Sequence, residues 1–321
     1  MSLSKFLKLL YNELHKLYIR KSTWVMYIIL AAIVIGGAVL MTIFDDNTVE
    51  SEYSENWRAE LQAENDEIEQ SLQENNNEFM IDMNMSNVEK NNYHLDNDIK
   101  PLNYGGWQYT YENAGLSMLI GLFVIIVGAG IVASEFNWGT IKLLLIRPIS
   151  RSMILFTKFA AVLTFALITL VFLFLLNLAV GGIFFGLEGA NPHIVIQKAD
   201  GFVHASLFGE IMTSYGYDMV NLVMLTALAF MISTIFRNSS LAIGIGIFLL
   251  MGGNIVVQAL SQYDFSKYIL FANTNLKQYE TGNVFMEGMT LGFSVTVLIV
   301  YFVLFMVLSW AFFTKRDVAG Q

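Results

Sequence analysis

Apolar residues along this chain gather into six long runs, each free of Asp, Glu, Lys and Arg: 24–44, 114–133, 159–185, 219–236, 241–260 and 291–313. A helix crossing about 30 Å of hydrocarbon needs roughly 20 such residues, because only bonds within the helix can satisfy its backbone there. The pattern therefore predicts an all-α integral membrane protein with six transmembrane helices. The first run is too long for a cleaved leader, and Phe44-Asp45-Asp46 offers no small-residue cleavage site, so it is expected to stay in the mature protein.

The polar positions between the runs add direction. Lys5, Lys8, Lys16, Arg20, Lys21, Lys142, Arg147, Arg151, Lys158, Arg237, Lys315 and Arg316 flank one side of the predicted spans. The other side has only Arg58, Lys90, Lys100, Lys198, Lys267 and Lys277, spread over longer loops. Positively charged flanks stay on the cytoplasmic side, so segments 1–23, 134–158, 237–240 and 314–321 are expected there, with 45–113, 186–218 and 261–290 outside. The formal net charge of -9 is local in origin: segment 45–113 carries seventeen of the 27 acidic residues.

Within that acidic region Leu61, Ile68, Leu72 and Phe79 recur at helical spacing, interrupted by Asn65 and Asn75, which predicts a short extracellular helix or helical hairpin. Residues 91–103 read instead as a polar, unstructured stretch. Ahead of the first span, Phe6, Leu7, Leu10, Leu14 and Leu17 share one helical face while most of the lysines lie elsewhere. This predicts an amphipathic helix lying in the membrane interface.

The segment between the second and third spans reads Ser134-Glu135-Phe136-Asn137-Trp138-Gly139-Thr140-Ile141-Lys142-Leu143-Leu144-Leu145-Ile146-Arg147-Pro148-Ile149-Ser150-Arg151. It resembles the Glu-aromatic-x-x-Gly-Thr, Leu-Leu, Pro-x-Ser-Arg pattern of ABC-2 type transporter permeases. The resemblance extends to an N-terminal elbow helix, six spans and an Arg-Asp near the C-terminus, here Arg316-Asp317. It implies a coupling loop that receives motion from an ATPase. Glu135 would end the span, Gly139 would permit a tight turn, and Thr140 would cap the next short helix. Leu143 and Leu144 would fill a partner's groove, with Lys142, Arg147 and Arg151 around them and Pro148 ending the helix.

No G-x-x-x-x-G-K-S/T sequence occurs, so a transporter of this kind would need a separate ATPase subunit to bind ATP and Mg. The resemblance also implies a second permease subunit, identical or homologous, and a location in the bacterial cell membrane. An uncharged path suits an amphipathic cargo such as a peptide antibiotic or lipid, as in antibiotic-resistance exporters. The chain itself is read as neither an enzyme nor a nucleic-acid binder, and as holding no cofactor or metal.

A membrane-embedded enzyme is the rival reading, as is a non-transporting sensor or scaffold. The enzyme would need polar chemistry inside the spans, and no H-E-x-x-H, G-x-S-x-G or intramembrane Asp pair is present. His193, His204, Asp200 and Glu210 share one loop without a metal-ligand spacing. Gly121 and Gly128 in the second span, and Gly244, Gly246, Gly252, Gly253, Asn254 and Gln258 in the fifth, are candidates either for a pathway wall or for close helix packing. Asn177 in the third span is read as structural.

Overall fold

The computed structural model describes residues 3–44, 53–74, 78–140, 149–187, 189–236 and 238–315. Six of its helices are long and apolar enough to cross a membrane. Helix α1 (Leu3–Ile19) meets the first of them, α2 (Lys21–Phe44), at a corner that contains neither Gly nor Pro. Side chains make the corner: the Thr23 hydroxyl donates to the Leu17 carbonyl at 2.6 Å and the Trp24 indole N–H to the Tyr18 carbonyl at 2.9 Å. The last carbonyls of α1 thus gain side-chain partners, Leu17 in addition to the Arg20 N–H at 3.3 Å. Along α2, Thr23, Met26, Leu30, Val34 and Ala38 form one buried stripe, while Ile28, Ile29, Ile33 and Leu40 on the other side are exposed.

Between the first two spans, α3 (Trp57–Glu74) and α4 (Glu78–Asp96) form a helical pair. Leu61 and Trp57 are buried there, and the Asn65 that breaks the apolar stripe is buried too. Its amide donates to Asn92 and its oxygen accepts from Asn91, each at 3.0 Å, so the polar interruption serves as an interhelix clasp. Helix α4 continues through residues 91–96, where the sequence reads as unstructured; the burial of Asn91 and His94 accounts for the difference.

Helix α5 (Gly106–Glu112) leads through a 3₁₀ turn into α6 (Ser117–Asn137), the most enclosed span, packed on by α7 (Arg151–Phe185), α8 (Leu207–Ile235) and α9 (Ser239–Ala259). Polar caps start these helices: Ser150 for α7, Ser206 for α8 and Asn238 for α9 each accept a backbone N–H from the first turn. Two strands, β1 (His193–Lys198) and β2 (Gly201–Ser206), pair antiparallel between α7 and α8, in a segment the sequence pattern leaves as loop. Helix α8 also begins twelve residues before the uncharged run at 219, at Leu207. Glu210 and Asp218 therefore lie inside a long helix that the charge-free criterion cuts short, and not in the preceding loop. Short helices α10 (Leu270–Thr274) and α11 (Gln278–Thr281) precede the last span, α12 (Leu291–Lys315).

Candidate functional site

At the end of the bundle that holds α1, three helices converge on one lysine. Lys158 lies two turns into α7 and is 1% exposed. Its ammonium is 2.8 Å from a Glu13 carboxylate oxygen on α1 and 3.0 Å from a Glu135 oxygen near the end of α6. It also reaches the Ile131 carbonyl at 3.4 Å. Lys16 stands 2.8 Å from Glu13 and 3.6 Å from Glu135, so two carboxylates face two ammonium groups and the cluster is neutral. A cation this deeply buried is tolerable only with such partners. Burial pushes the Glu13 carboxyl upward, but the charges and hydrogen bonds of Lys158 and Lys16 outweigh it, and its pKa lies below the ordinary carboxylate value.

The chain leaves α6 beside this cluster. Trp138 N–H closes on the Ser134 carbonyl and Gly139 N–H on the Phe136 carbonyl, with Gly139 at φ +70°, a left-handed turn that a side chain would oppose. The Thr140 hydroxyl folds back to donate to the Glu135 carboxylate. The hydroxyl hydrogen thus has a partner behind it, at the end of α6; the short helix that Thr140 is expected to cap lies outside the described residues. Arg20 stacks over the Trp138 ring at 5.7 Å. Between α1, the end of α6 and the start of α7 runs a groove of about 740 Å³, lined among others by Leu9, His15, Ile19, Trp138, Ile149 and Ile154. Arg151 donates to the Thr314 carbonyl at 3.1 Å, favourable for both charge and hydrogen bonding near the end of α12. Lys142, Leu143, Leu144, Arg147 and Pro148, and the Arg316-Asp317 pair, lie outside the described residues.

The candidates in the second and fifth spans divide into two groups. Gly121 abuts Leu225, Gly128 abuts Ala229 and Val162, Gly246 abuts Ile125 and Gly253 abuts Phe271, so all four permit close packing within the chain. Gly244, Asn254 and Gln258 lie instead on the exposed face of α9, and the nearest atom to a Cβ on Gly252 would be Phe248 of its own helix. The two amides therefore face away from this chain's interior, because the small residues Ala242, Gly246 and Gly253 occupy the inward side. Asn177 is fully buried and its amide meets the Tyr215 hydroxyl at 3.3 Å. The His193 and His204 rings lie 5.4 Å apart between centroids, tilted 49° to one another, while Glu210 pairs with Lys198 at 2.7 Å. Among the described residues no group of three or more His, Asp or Glu could hold a metal ion.

Sequence reading counts Lys158 only as a topological charge and passes over Glu13. The available signal was a carboxylate on the leucine side of an amphipathic helix, with a lone lysine at the head of an apolar run.

Fold and cluster together define a multi-pass membrane protein with six apolar helices and a buried ionic junction at one end. Residues 77–319 match the family described as "Protein of unknown function (DUF2705)", and the chain belongs to that family. It is 41% identical over 319 residues to the Bacillus subtilis (strain 168) protein called "Uncharacterized protein YhcI", covering 98% of this chain and 100% of that one. It is also 30% identical over 213 residues to "Uncharacterized membrane protein YdbK" of the same organism, covering 65% of this chain and 82% of that one.

Proposed function

We propose that this chain is the permease subunit of an ABC-2 type exporter in the bacterial cell membrane, with both termini in the cytoplasm. The observation that carries the reading is the junction at Lys158, where α1, the end of α6 and the start of α7 share one buried charge directly beside the Glu135–Thr140 segment. Movement delivered to the loop that follows Thr140 reaches Glu135 through one hydroxyl, and from there a lysine on α7 and a carboxylate on α1. That is the mechanical requirement for a span-to-loop coupling element.

In this reading α1 is an interfacial elbow helix. Leu3, Leu7 and Tyr11 are exposed one turn apart and enter the acyl boundary, while Glu13, Leu14 and Leu17 face the bundle. The acidic α3–α4 pair stands outside the cell, consistent with the bias of Lys and Arg toward the other side. ATP and Mg are bound by a separate ATPase subunit, since the chain has no phosphate-binding glycine loop. The cargo is amphipathic, a peptide antibiotic or lipid being the chemical type that suits an uncharged path. Replacing Leu143 and Leu144 together with Asp tests the coupling role, because two carboxylates would be desolvated in an apolar partner groove. Losing well-buried leucine contacts, worth roughly 1.5 to 3 kcal/mol each, should weaken ATPase co-purification at least tenfold with membrane insertion intact. Full retention of the ATPase and of resistance would make the segment a plain linker.

A second permease completes the path through α9. Leu241, Gly244, Phe248, Met251, Ile255 and Gln258 are all exposed and follow alternating steps of three and four residues. That is the spacing of a helix-pairing seam, and Gly244 permits close approach within it. The native chain has no cysteine, so Met251→Cys should give a disulfide-linked permease pair on mild oxidation of membranes, whereas Ile28→Cys on exposed α2 should not. Equal cross-linking at both positions would remove α9 as the contact.

A further inference from the structure

One turn of α6 shares its backbone hydrogen bonding with neighbouring helices. The Ser233 hydroxyl oxygen of α8, fully buried, accepts from Val132 N–H at 3.0 Å and from Ala133 N–H at 3.1 Å. One residue earlier, the Ile131 carbonyl accepts from the Lys158 ammonium at 3.4 Å. In a regular helix those amides serve the carbonyls four residues back, at Gly128 and Ala129, and the carbonyl serves the amide of Glu135. Three consecutive residues thus have external partners for groups that normally bond only within the helix. The contact exists because the helices meet at small residues: a Cβ on Gly128 would come within 3.0 Å of Ala229, one turn before Ser233.

We propose that Ile131–Ala133 is a hinge in α6 and that Ser233 is its positioning residue, acting through Glu135. Side chains that enter the ladder of a helix are a recognised cause of bending. Inside a membrane an opened turn is expensive because unpaired N–H groups find no water. An acceptor already in place on α8 removes that cost, so the turn opens with both donors still bonded. The segment beyond it, carrying Glu135, Trp138, Gly139 and Thr140, then tilts while the outer part of α6 stays packed against α8 through Gly121 and Leu225. The hinge deepens the coupling role proposed above, but it belongs to this chain alone and is measured without an ATPase.

The test uses the full chain in lipid nanodiscs with spin labels at Met118→Cys and Asn137→Cys, both exposed positions on α6 in a cysteine-free background. A straight helix separates the two Cα atoms by about 28 Å. With Ser233 present, the distance distribution should be broad and include shorter, bent states. In Ser233→Ala the two amides fall back to their own carbonyls, so the distribution should narrow toward the straight value, and hydrogen exchange at Val132 and Ala133 should slow about tenfold. Ser233→Thr, which keeps the hydroxyl, should retain the wild-type breadth. Simple interhelix glue predicts the opposite sign, a broader distribution and faster exchange in Ser233→Ala. That result, or no change between Ser and Ala, overturns the hinge. Failure of the full chain to associate with any ATPase subunit, with the Ser233-dependent bending intact, would instead count against the transporter reading and leave the hinge standing.

Discussion

Replacing Lys158 with Met is expected to destabilise the protein more than any other single change at the charge cluster. The side chain is nearly isosteric, so the change removes charge and hydrogen bonds while conserving most of the volume. Glu13 and Glu135 would then face one another with only Lys16, half exposed, to balance them. Breaking a buried pair by deleting one partner costs about 3–5 kcal/mol, mainly through the uncompensated charge left behind. Thermal unfolding in a fixed detergent should show the loss, and α1 should become accessible to proteolysis. The triple change Lys158→Met, Glu13→Gln, Glu135→Gln should recover much of the stability, because it removes all three charges together. If the single variant is as stable as the wild type, the cluster does not hold α1 to the bundle.

Acid should act on the same junction with a defined sign. The Glu13 carboxyl has its pKa lowered in the folded protein from 4.5, by Lys158 and Lys16 acting against the opposing effect of burial. Its contribution is therefore fully present above 4.5 and is lost as the pH falls below that value through the lowered one. Stability attributable to Glu13 should be flat across neutral pH and decline only under strong acidification. The Glu13→Gln variant should lack that decline.

Six spans could be read from sequence because lipid imposes a long, one-sided compositional rule that needs no tertiary information. The rule fails where tertiary structure supplies charge compensation. Lys158 and Glu135 end the uncharged runs, yet both sit within helices, since each is neutralised by a group far away in sequence. Asp218 and Glu210 cut the predicted fourth span short, and for Glu210 the reason is the same: a window that stops at a charge cannot know that Lys198 will pair with it. The β1–β2 hairpin is invisible to helical periodicity, and its alternation is too short to stand out beside the long apolar runs. Asn254 and Gln258 were legible as unusual residues but not as exposed ones, because facing direction depends on which side of α9 meets α6. The Glu135-to-Thr140 motif was legible as a unit, whereas its anchoring to Glu13 spans more than a hundred residues and has no local signature.

Gly106→Ala is the second change expected to have a large effect, and Gly121→Ala is its internal control. Helix α5 lies directly on α7 at Gly106: a Cβ there would come to 2.6 Å from the Gly182 nitrogen and 2.8 Å from the Gly181 carbonyl carbon. Both are backbone atoms inside a 35-residue helix, so neither can rotate away. The reciprocal contact is equally tight, since a Cβ on Gly181 would meet the Gly106 Cα at 2.8 Å. Adding the methyl group must lift α5 from α7. It also draws Tyr109 from the Val34 carbonyl of α2, which the tyrosine hydroxyl holds at 2.5 Å. Overpacking with backbone displacement costs about 1–3 kcal/mol, and a buried acceptor left unpaired adds to that. At Gly121 the nearest atom to a new Cβ is also close, at 2.8 Å, but it is the Cδ1 of Leu225, the far end of a side chain that can change rotamer. Gly121→Ala should therefore cost less than about 1 kcal/mol, and the two variants should separate clearly in thermal unfolding under identical conditions. Equal stability would mean that α5 can slide on α7, and that the glycine pair is not what seats it there.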